Sequence, residues 1–352
     1  MIEFRSTIVE STFLDPQDDW AERSIEIEHR RDPLTGRFSR VAHYIPAREK
    51  EDVAQAVLDA VLPIFAPPLV GQITPKYGAD IVADGRMTRG RSVLFPNLNP
   101  YDEYSPVVAI GDQPLVLPGE LPAEDVGDAL CLMRDFFERL PSDRELGLVG
   151  WNYLPQSSSS IPHPHLQAVA TYRIPERPAE EYAGEAAYRE AHDSDFWDGL
   201  VKAERDGRRW LGSSNGWHRM VVFAPRSTLP ETLVVSDDIR HLQAAGDDAL
   251  HALAAQLVAI AAAYHDLGYS SFNVALHPTG DVEGSRLRAR YIPRAFIVPK
   301  LSSSDWSWVH VGTEEGLCMS NPEVFADNLR ERLGLLGARL RGGYSSFIVD
   351  ER

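Results

Sequence analysis

Residues Ser157–Pro175 read SSSSIPHPHLQAVATYRIP. Two histidines flank a proline, a glutamine follows two residues later, and an apolar run closes the segment. In an extended chain residues i, i+2 and i+4 point the same way. His165, Gln167 and Val169 therefore share one face, and Leu166, Ala168 and Ala170 share the other. The small apolar set suits a core, so the His and Gln set faces whatever the serine loop encloses. Pro164 fixes φ and cannot donate to a sheet ladder, which places it at the strand's start and holds His163 and His165 in one relation. A neutral imidazole is a competent nucleophile near pH 7 when its other ring nitrogen is held by a hydrogen bond. A glutamine amide donates to a non-bridging phosphate oxygen. Ser157–Ser160 add four hydroxyls and closely spaced backbone N–H groups, suited to an anion. Attack by His165 on phosphorus would split one hard transfer into two easier ones through a phosphohistidine-type intermediate. On spacing alone, a turn with two surface imidazoles beside a flexible serine connector stays open.

Outward from this stretch, a helix–strand–loop–strand order occurs twice. In the first half, LPAEDVGDALCLMRDFFERL reads as a helix with Pro122 in its first turn and an apolar stripe of Val126, Leu130, Met133, Phe137 and Leu140. The strand ELGLVGWNY, the serine loop and the strand HLQAVATYRI follow. In the second half, DDALHALAAQLVAIAAAYHDLG reads as a helix with Leu250, Leu253, Leu257 and Ala261 on one face and Gly268 as its stop. The strand SSFNVAL, the loop HPTGDVEGS and the strand RLRARYIPRAFIV follow. Each first strand carries a central asparagine, Asn152 or Asn273. The repeat is one of pattern and not of letters. It predicts an α+β fold of two duplicated units, 1–178 and 179–352, each an antiparallel sheet with packed helices. The acidic segment RPAEEYAGEAAYREAHDSDFWDGLVKAERDG suits a connection between them. PAREKEDVAQAVLDAVL (46–62) reads as a further helix, and short strands are expected at RSVLF and SPVVAI. SNPEVFADNLRERLGLLG reads as a closing helix capped by Asn321, with Pro322 in its first turn. Trp306 and Trp308 alternate as in a strand and are expected to pack. His241, His251 and His265 lie on or near the alanine-rich helix, where structural roles are expected, and Cys131 beside its helix's apolar stripe reads as a buried thiol.

Composition narrows the partners. The chain has 352 residues, 43% of them hydrophobic and 25% charged, with a formal net charge of −17. Such an acidic surface repels nucleic-acid backbones, though a local basic pocket for a small phosphate ligand is compatible with it. No basic-then-apolar leader and no run of about 18 apolar residues appears. The two cysteines, Cys131 and Cys318, form no CxxC, so neither a disulfide framework nor a cysteine zinc knuckle is expected. A cytoplasmic protein with no membrane or nucleic-acid partner is the expectation.

Asn152, Ser160, His163, Pro164, His165 and Gln167 in NYLPQSSSSIPHPHLQ fall in register with N-x-G-x-x-x-G-x-S-x-x-H-P-H-x-Q. That pattern marks the galactose-1-phosphate uridylyltransferase branch of the histidine-triad superfamily, and the chain resembles it. Leu154 and Ser158 stand where the pattern has glycines. RRDPLTGRF (30–38), VLFPNLNP (93–100) and GTEEGLCMSNPEVFADNLRERL (312–333) resemble further segments of the same family, in the same order, so the likeness covers most of the chain. It implies two tandem histidine-triad-like units, usually in a homodimer, and a covalent nucleotidyl-histidine on His165. It implies that the backbone carbonyl of His163 orients that ring, that Gln167 holds the α-phosphate, and that Ser159 and Ser160 meet the leaving phosphate. Asn97 would touch base or ribose, Glu314 would lie near nucleotide or sugar, and Arg30 or Arg31 near a phosphate. The implied partners are a nucleotide sugar and a sugar phosphate or phosphate.

The departures concern metals. The family's zinc site of CxxC and histidines has no CxxC here, SPVVA (105–109) replaces its P-x-H, and His163 is the one ligand left. A second metal site uses a Glu and three His. Glu181 and His277 match two of these, whereas Arg288 and Arg290 stand in the place of the HxH pair. Guanidiniums do not ligate metals, so no metal cofactor is expected and ion pairs to Glu181 are the favoured replacement, with contact to a phosphate as the other use. The activity expected is transfer of a nucleoside monophosphate from a nucleotide sugar, a UDP-sugar first, to a sugar-1-phosphate. Alternatives are a phosphorylase using inorganic phosphate on a nucleotide sugar or dinucleotide, and a degenerate nucleotide-binding protein without chemistry. A metal-dependent hydrolase lacks any recognised ligand spacing.

Overall fold

The computed structural model describes residues 2–42, 57, 62–144, 146–296 and 304–341, with 335–341 as backbone alone. The helix expected over 46–62 falls outside the described residues save for Val57 and Leu62, as does the end of the last expected strand beyond residue 296.

The chain opens with a long two-stranded ribbon, β1 (Arg5–Asp15) and β2 (Ala21–Arg31), followed by β3 (Phe38–Val41). A short helix α1 (Leu69–Ile73) precedes β4 (Met87–Arg89), β5 (Ser92–Pro96) and β6 (Pro106–Ala109). Helix α2 (Ala123–Phe137), β7 (Leu146–Tyr153) and β8 (His165–Thr171) complete the first half. Two helices connect the halves, α3 (Glu176–His192) and α4 (Phe196–Glu204). The second half repeats the order: β9 (Trp210–Ser214), β10 (Trp217–Val221), β11 (Thr232–Ser236), helix α5 (Asp247–Asp266), β12 (Ser271–His277) and β13 (Arg288–Arg294). Helix α6 (Trp308–Thr313), β14 (Gly316–Cys318) and α7 (Pro322–Arg341) follow.

Ten strands form one sheet in the order β4-β5-β6-β8-β7-β12-β13-β11-β10-β9. Each half contributes five strands in the same internal order, with its helix inserted at the same point. The sheets expected for two units are joined edge to edge by the antiparallel pair β7–β12, where Asn152 faces Asn273. The small second sheet is β1-β2-β3-β14, its last pair parallel.

Helices α2 and α5 cover one face of the large sheet. Val126, Leu130, Met133 and Phe137 of α2 and Leu250, Leu253, Leu257 and Ala261 of α5 are buried in one core with Leu166, Ala168 and Ala170 of β8. Pro122 sits one place earlier than expected, as the extended residue before α2, because its ring suits the entry as well as the first turn. Leu140 lies past the helix end yet remains buried, and Cys131 is a buried free thiol. Gly268, at φ 92°, turns the chain out of α5. Rings of Trp151, Tyr153, Phe272 and Tyr291 interlock across the β7–β12 seam on this side. On the opposite face α4 covers part of the second half, packing Phe196, Trp197 and Leu200 on Met220, Leu233 and Val235.

Two sequence expectations are corrected. Trp306 and Trp308 are exposed and do not lie in a strand. Trp308 starts α6, which Ser307 and His310 close with a capping box, and Trp306 stacks on His310 at 4.5 Å. The β1–β2 ribbon was not expected at all. It is solvated on both sides for most of its length, and only Ser24–His29 of β2, with Ile25 and Ile27 alternating with Glu26 and Glu28, carries the pattern of a half-buried strand. Asn321 caps α7 as read, its Oδ1 accepting from Val324 N at 3.0 Å.

β7 and β8 approach closely at Gly147, where a Cβ would overlap the carbonyl oxygen of Val169. Gly147→Ala is expected to destabilise by about 1–3 kcal/mol in urea titrations. Gly150→Ala, whose Cβ would meet nothing nearer than 3.8 Å, is expected to cost far less.

Candidate active site

His165, Gln167 and Val169 face away from the helical core, as the alternation required; Leu166, Ala168 and Ala170 face into it. Pro164 stands just before β8, and its carbonyl accepts from Ile110 N at 2.9 Å. β8 runs between β6 and β7, so Gln167 is flanked by Val107 and Gly150 and His165 by Ala109. Trp151 pairs with Leu166, so one step further along that ladder brings Asn152 level with His165.

His165 is buried, and its Nδ1 lies 2.8 Å from the carbonyl oxygen of His163. The carbonyl can only accept, so Nδ1 carries the proton and Nε2 keeps its lone pair. Burial pushes the His165 pKa down, against the carbonyl's opposite pull, so the ring is neutral near pH 7. His163 is fully buried. Its Nε2 lies 3.3 Å from Gly111 O, its Nδ1 has no hydrogen-bond partner among the described residues, and burial pushes its pKa down to about 4. Phe65 packs edge-on against both rings, at 5.4 Å from His165 and 6.0 Å from His163. The sequence reading missed Phe65, because an isolated aromatic among prolines carries no periodic signal.

The serine loop leaves β7 through a single turn, Pro155–Ser157. Leu154 and Ser158, which stand at the pattern's glycines, have φ of 65° and 68°. Leu154 O accepts from Ser157 N at 3.1 Å and from Ser157 Oγ at 2.8 Å, so Ser157 is buried in the loop's own structure. Ser159 Oγ donates to Ile161 O at 2.9 Å, and Ser160 is exposed. Asn152 Oδ1 accepts from Asn273 Nδ2 at 2.7 Å.

The other site candidates lie apart from this row. Asn97, at the end of β5, accepts from Asn99 N at 3.0 Å. Arg30, in the small sheet, is buried and committed to Glu28 and Glu323, at 2.7 and 2.8 Å. Arg31 is exposed, with Nε donating to Gly36 O at 3.2 Å. Glu314 is exposed beside β14 and pairs with Arg37 at 3.4 Å. Within one chain, no hydrogen bond or ion pair among the described residues ties these four to His165.

Neither implied metal site fits the residues present. No cysteine pair exists to join His163. At the second position Arg288 is buried, with Nη2 2.8 Å from Glu181 and 2.9 Å from Glu185 and its guanidinium 4.4 Å from the Trp197 ring centroid. Arg290 lies 2.9 Å from Glu231 and 3.6 Å from Glu181, and His277 Nε2 is 3.4 Å from Glu181. Burial works to raise the Glu181 pKa, but the charge of Arg288, with His277, Arg290 and Arg177, holds it well below the usual carboxylate range. Two cations thus occupy the place of two ligands.

The fold is shared with solved uridylyltransferase, GalT-like and ADP-glucose phosphorylase structures. The chain is similar to an ADP-glucose phosphorylase of Arabidopsis thaliana, with TM-score 0.67 and 16% identity over 87% of this chain and 98% of that one. It is similar to a GalT-like protein of the same plant, with TM-score 0.66 and 17% identity over 86% and 98%. A uridylyltransferase matches with TM-score 0.64 and 16% identity over 88% and 99%. An uncharacterised protein of Archaeoglobus fulgidus is 26% identical over 87% of this chain and 92% of its own length. No protein-family model matches the chain. No described helix is long and apolar enough to cross a membrane.

Two outcomes are expected. Arg288→Ala leaves Glu181 and Glu185 buried without their shared cation, and is expected to cost about 3–5 kcal/mol in denaturant unfolding. For His163, the folded pKa lies below the unfolded value, so the unfolded chain takes up the proton first as pH falls. Stability that is complete above pH 6.5 is therefore lost toward about pH 4. In that window His163→Gln is expected to flatten the pH dependence by about one proton, or ~1.4 kcal/mol per pH unit, measured by urea unfolding.

Proposed function

We propose that this protein is a nucleotidyltransferase working by double displacement through His165. The observation that carries the reading is the 2.8 Å contact from His165 Nδ1 to the His163 carbonyl, which leaves Nε2 with its lone pair. Nε2 attacks the α-phosphorus of a nucleotide sugar. An N–P bond forms, the bond from that phosphorus to the bridging oxygen breaks, and the sugar-1-phosphate leaves with the electron pair. The ring then carries a positive charge between the N–P bond and the Nδ1 proton, and the His163 carbonyl stabilises it. A second sugar-1-phosphate attacks the same phosphorus and returns the lone pair to Nε2. Gln167 donates to an α-phosphate oxygen, Asn152 and the hydroxyls of Ser159 and Ser160 meet the phosphates, and Asn97 meets the nucleoside. Arg30 belongs in this reading only if its present carboxylate partners release it. Arg31 and Glu314 are exposed, and would serve a neighbouring subunit's site in a homodimer.

The halves 1–178 and 179–352 are two tandem histidine-triad-like units in this reading, the second without a nucleophile. The enzyme is cytoplasmic and works without a metal cofactor. UDP-sugars are the first donors to try. Transfer to inorganic phosphate is the second reading, favoured by the likeness to an ADP-glucose phosphorylase.

Intact mass at neutral pH, after incubation with UDP-, ADP-, GDP-, CDP- and TDP-sugars, tests the mechanism. Wild type is expected to gain one nucleoside monophosphate and His165→Ala none, with turnover reduced by about three orders of magnitude or more. A chelator is expected to leave the adduct unchanged. Chasing the adduct with sugar-1-phosphate or with phosphate separates transferase from phosphorylase. A protein that binds these donors without ever gaining mass is a nucleotide binder, and the mechanism then fails.

A further inference from the structure

Leu154 and Ser158 hold backbone conformations that L side chains rarely adopt. Leu154 lies at φ 65°, ψ 164°, a region occupied almost wholly by glycine, and Ser158 at φ 68°, ψ 25°. Such conformations persist only where neighbours over-determine them. Each of these residues is preceded by a peptide whose carbonyl is held by a side chain of β12, in the other half of the molecule. Ser271 Oγ donates to Tyr153 O at 2.6 Å, fixing the peptide whose plane sets φ of Leu154. Asn273 Nδ2 donates to Ser157 O at 3.1 Å, fixing the peptide that sets φ of Ser158. Asn273 is oriented in turn. Its Oδ1 accepts from Arg294 Nη1 at 2.8 Å, and Arg294 grips Asp305 through Nε and Nη2, the shortest contact being 2.6 Å. That grip fixes the amide so that its NH2 faces Asn152 and Ser157.

We infer that Ser271 and Asn273 are positioning residues for the reaction, a two-point clamp that imposes on Leu154 and Ser158 the conformations the serine loop needs to meet a phosphate. Arg294 and Asp305 brace the clamp. The inference rests on the proposed function for its kinetic consequence, but its structural content stands apart from it. The second half, which has arginines where the resemblance puts a metal-binding HxH pair, thereby acts on the loop beside His165.

Glycine adopts these conformations without a clamp, so the test is a rescue. Asn273→Ala is expected to speed amide hydrogen exchange at Ser158–Ser160 by roughly fivefold or more, the loss of one hydrogen bond. It is expected to slow formation of the His165 adduct while leaving nucleotide affinity unchanged. Adding Ser158→Gly, at an exposed position, is expected to restore both rates in the Asn273→Ala background and to do little in Ser271→Ala, where the other peptide is loosened. Equal effects of Ser158→Gly in both backgrounds, or none in either, overturn the clamp. Should Asn273→Ala fail to fold, Ser271→Ala, which removes one hydroxyl, decides the matter. Faster exchange at Ser157 and Ser159, whose N–H groups reach Leu154 O, supports the clamp, and unchanged exchange overturns it. If wild type gains no adduct from any donor, the proposed chemistry falls, and the exchange measurements alone decide the clamp.

Discussion

The antiparallel pairing of β7 with β12 is the contact on which the rest depends. A five-stranded sheet with one helix leaves an open edge and a half-covered core. Joining two such edges satisfies both ladders and brings α2 and α5 side by side over one continuous apolar layer. The register of that pairing is as consequential as its existence. Because side chains alternate, Trp151, Tyr153 and Phe272 go into the aromatic layer together, and Asn152 and Asn273 must then emerge together on the other face. A slip of β12 by one residue against β7 would turn Asn273 into the core and Phe272 out of it. The hydrophobic term therefore fixes a polar junction that it does not itself contact.

Much of this was legible in the letters. The i, i+2, i+4 set of His165, Gln167 and Val169 gave the facing of β8, since Leu166, Ala168 and Ala170 are too apolar to sit elsewhere. The stripes of α2 and α5 gave the helices, and the twice-repeated order, with an asparagine in each first strand, gave the duplication. What the pattern could not convey was the join. Edge-to-edge fusion and the meeting of Asn152 with Asn273 depend on pairings more than a hundred residues apart, for which neither strand carries a local signal. The ribbon β1–β2 was invisible because solvated strands need no alternation. Trp306 and Trp308 misled because period two in two tryptophans also fits the turn into a helix. Phe65 was missed because its partners are two rings a hundred residues away. In the site, the sequence set His163 and His165 in a fixed relation; the choice of tautomer required the carbonyl's position.

Charge is handled differently on the two sides of the seam. In the second half Glu181, Glu185 and Glu231 share a buried layer with Arg288 and Arg290. Burying so many charges is costly, and it is tolerable because each carboxylate has a guanidinium within reach and Arg288 also lies against the Trp197 ring. Such a cluster has fixed geometry. It resembles a metal centre in tying a helix, α3, to a strand, β13, but it offers no open coordination position and so no Lewis acid.

The two histidines of the first half are buried neutral instead. Among the described residues no carboxylate lies within hydrogen-bond distance of either ring; His163 Nε2 and His165 Nδ1 meet backbone carbonyls, and Phe65 packs edge-on against both rings. A carboxylate would favour imidazolium, which has no lone pair to offer. A carbonyl orients Nδ1–H without holding a full extra proton in the ground state, and desolvation keeps the ring neutral. In the proposed reaction, bonding of Nε2 to phosphorus would make the ring cationic, and the same carbonyl dipole would then be worth more than before. The stabilisation would thus grow as that reaction proceeds, which is the direction in which an interaction must change if it is to accelerate a step and not merely tighten binding.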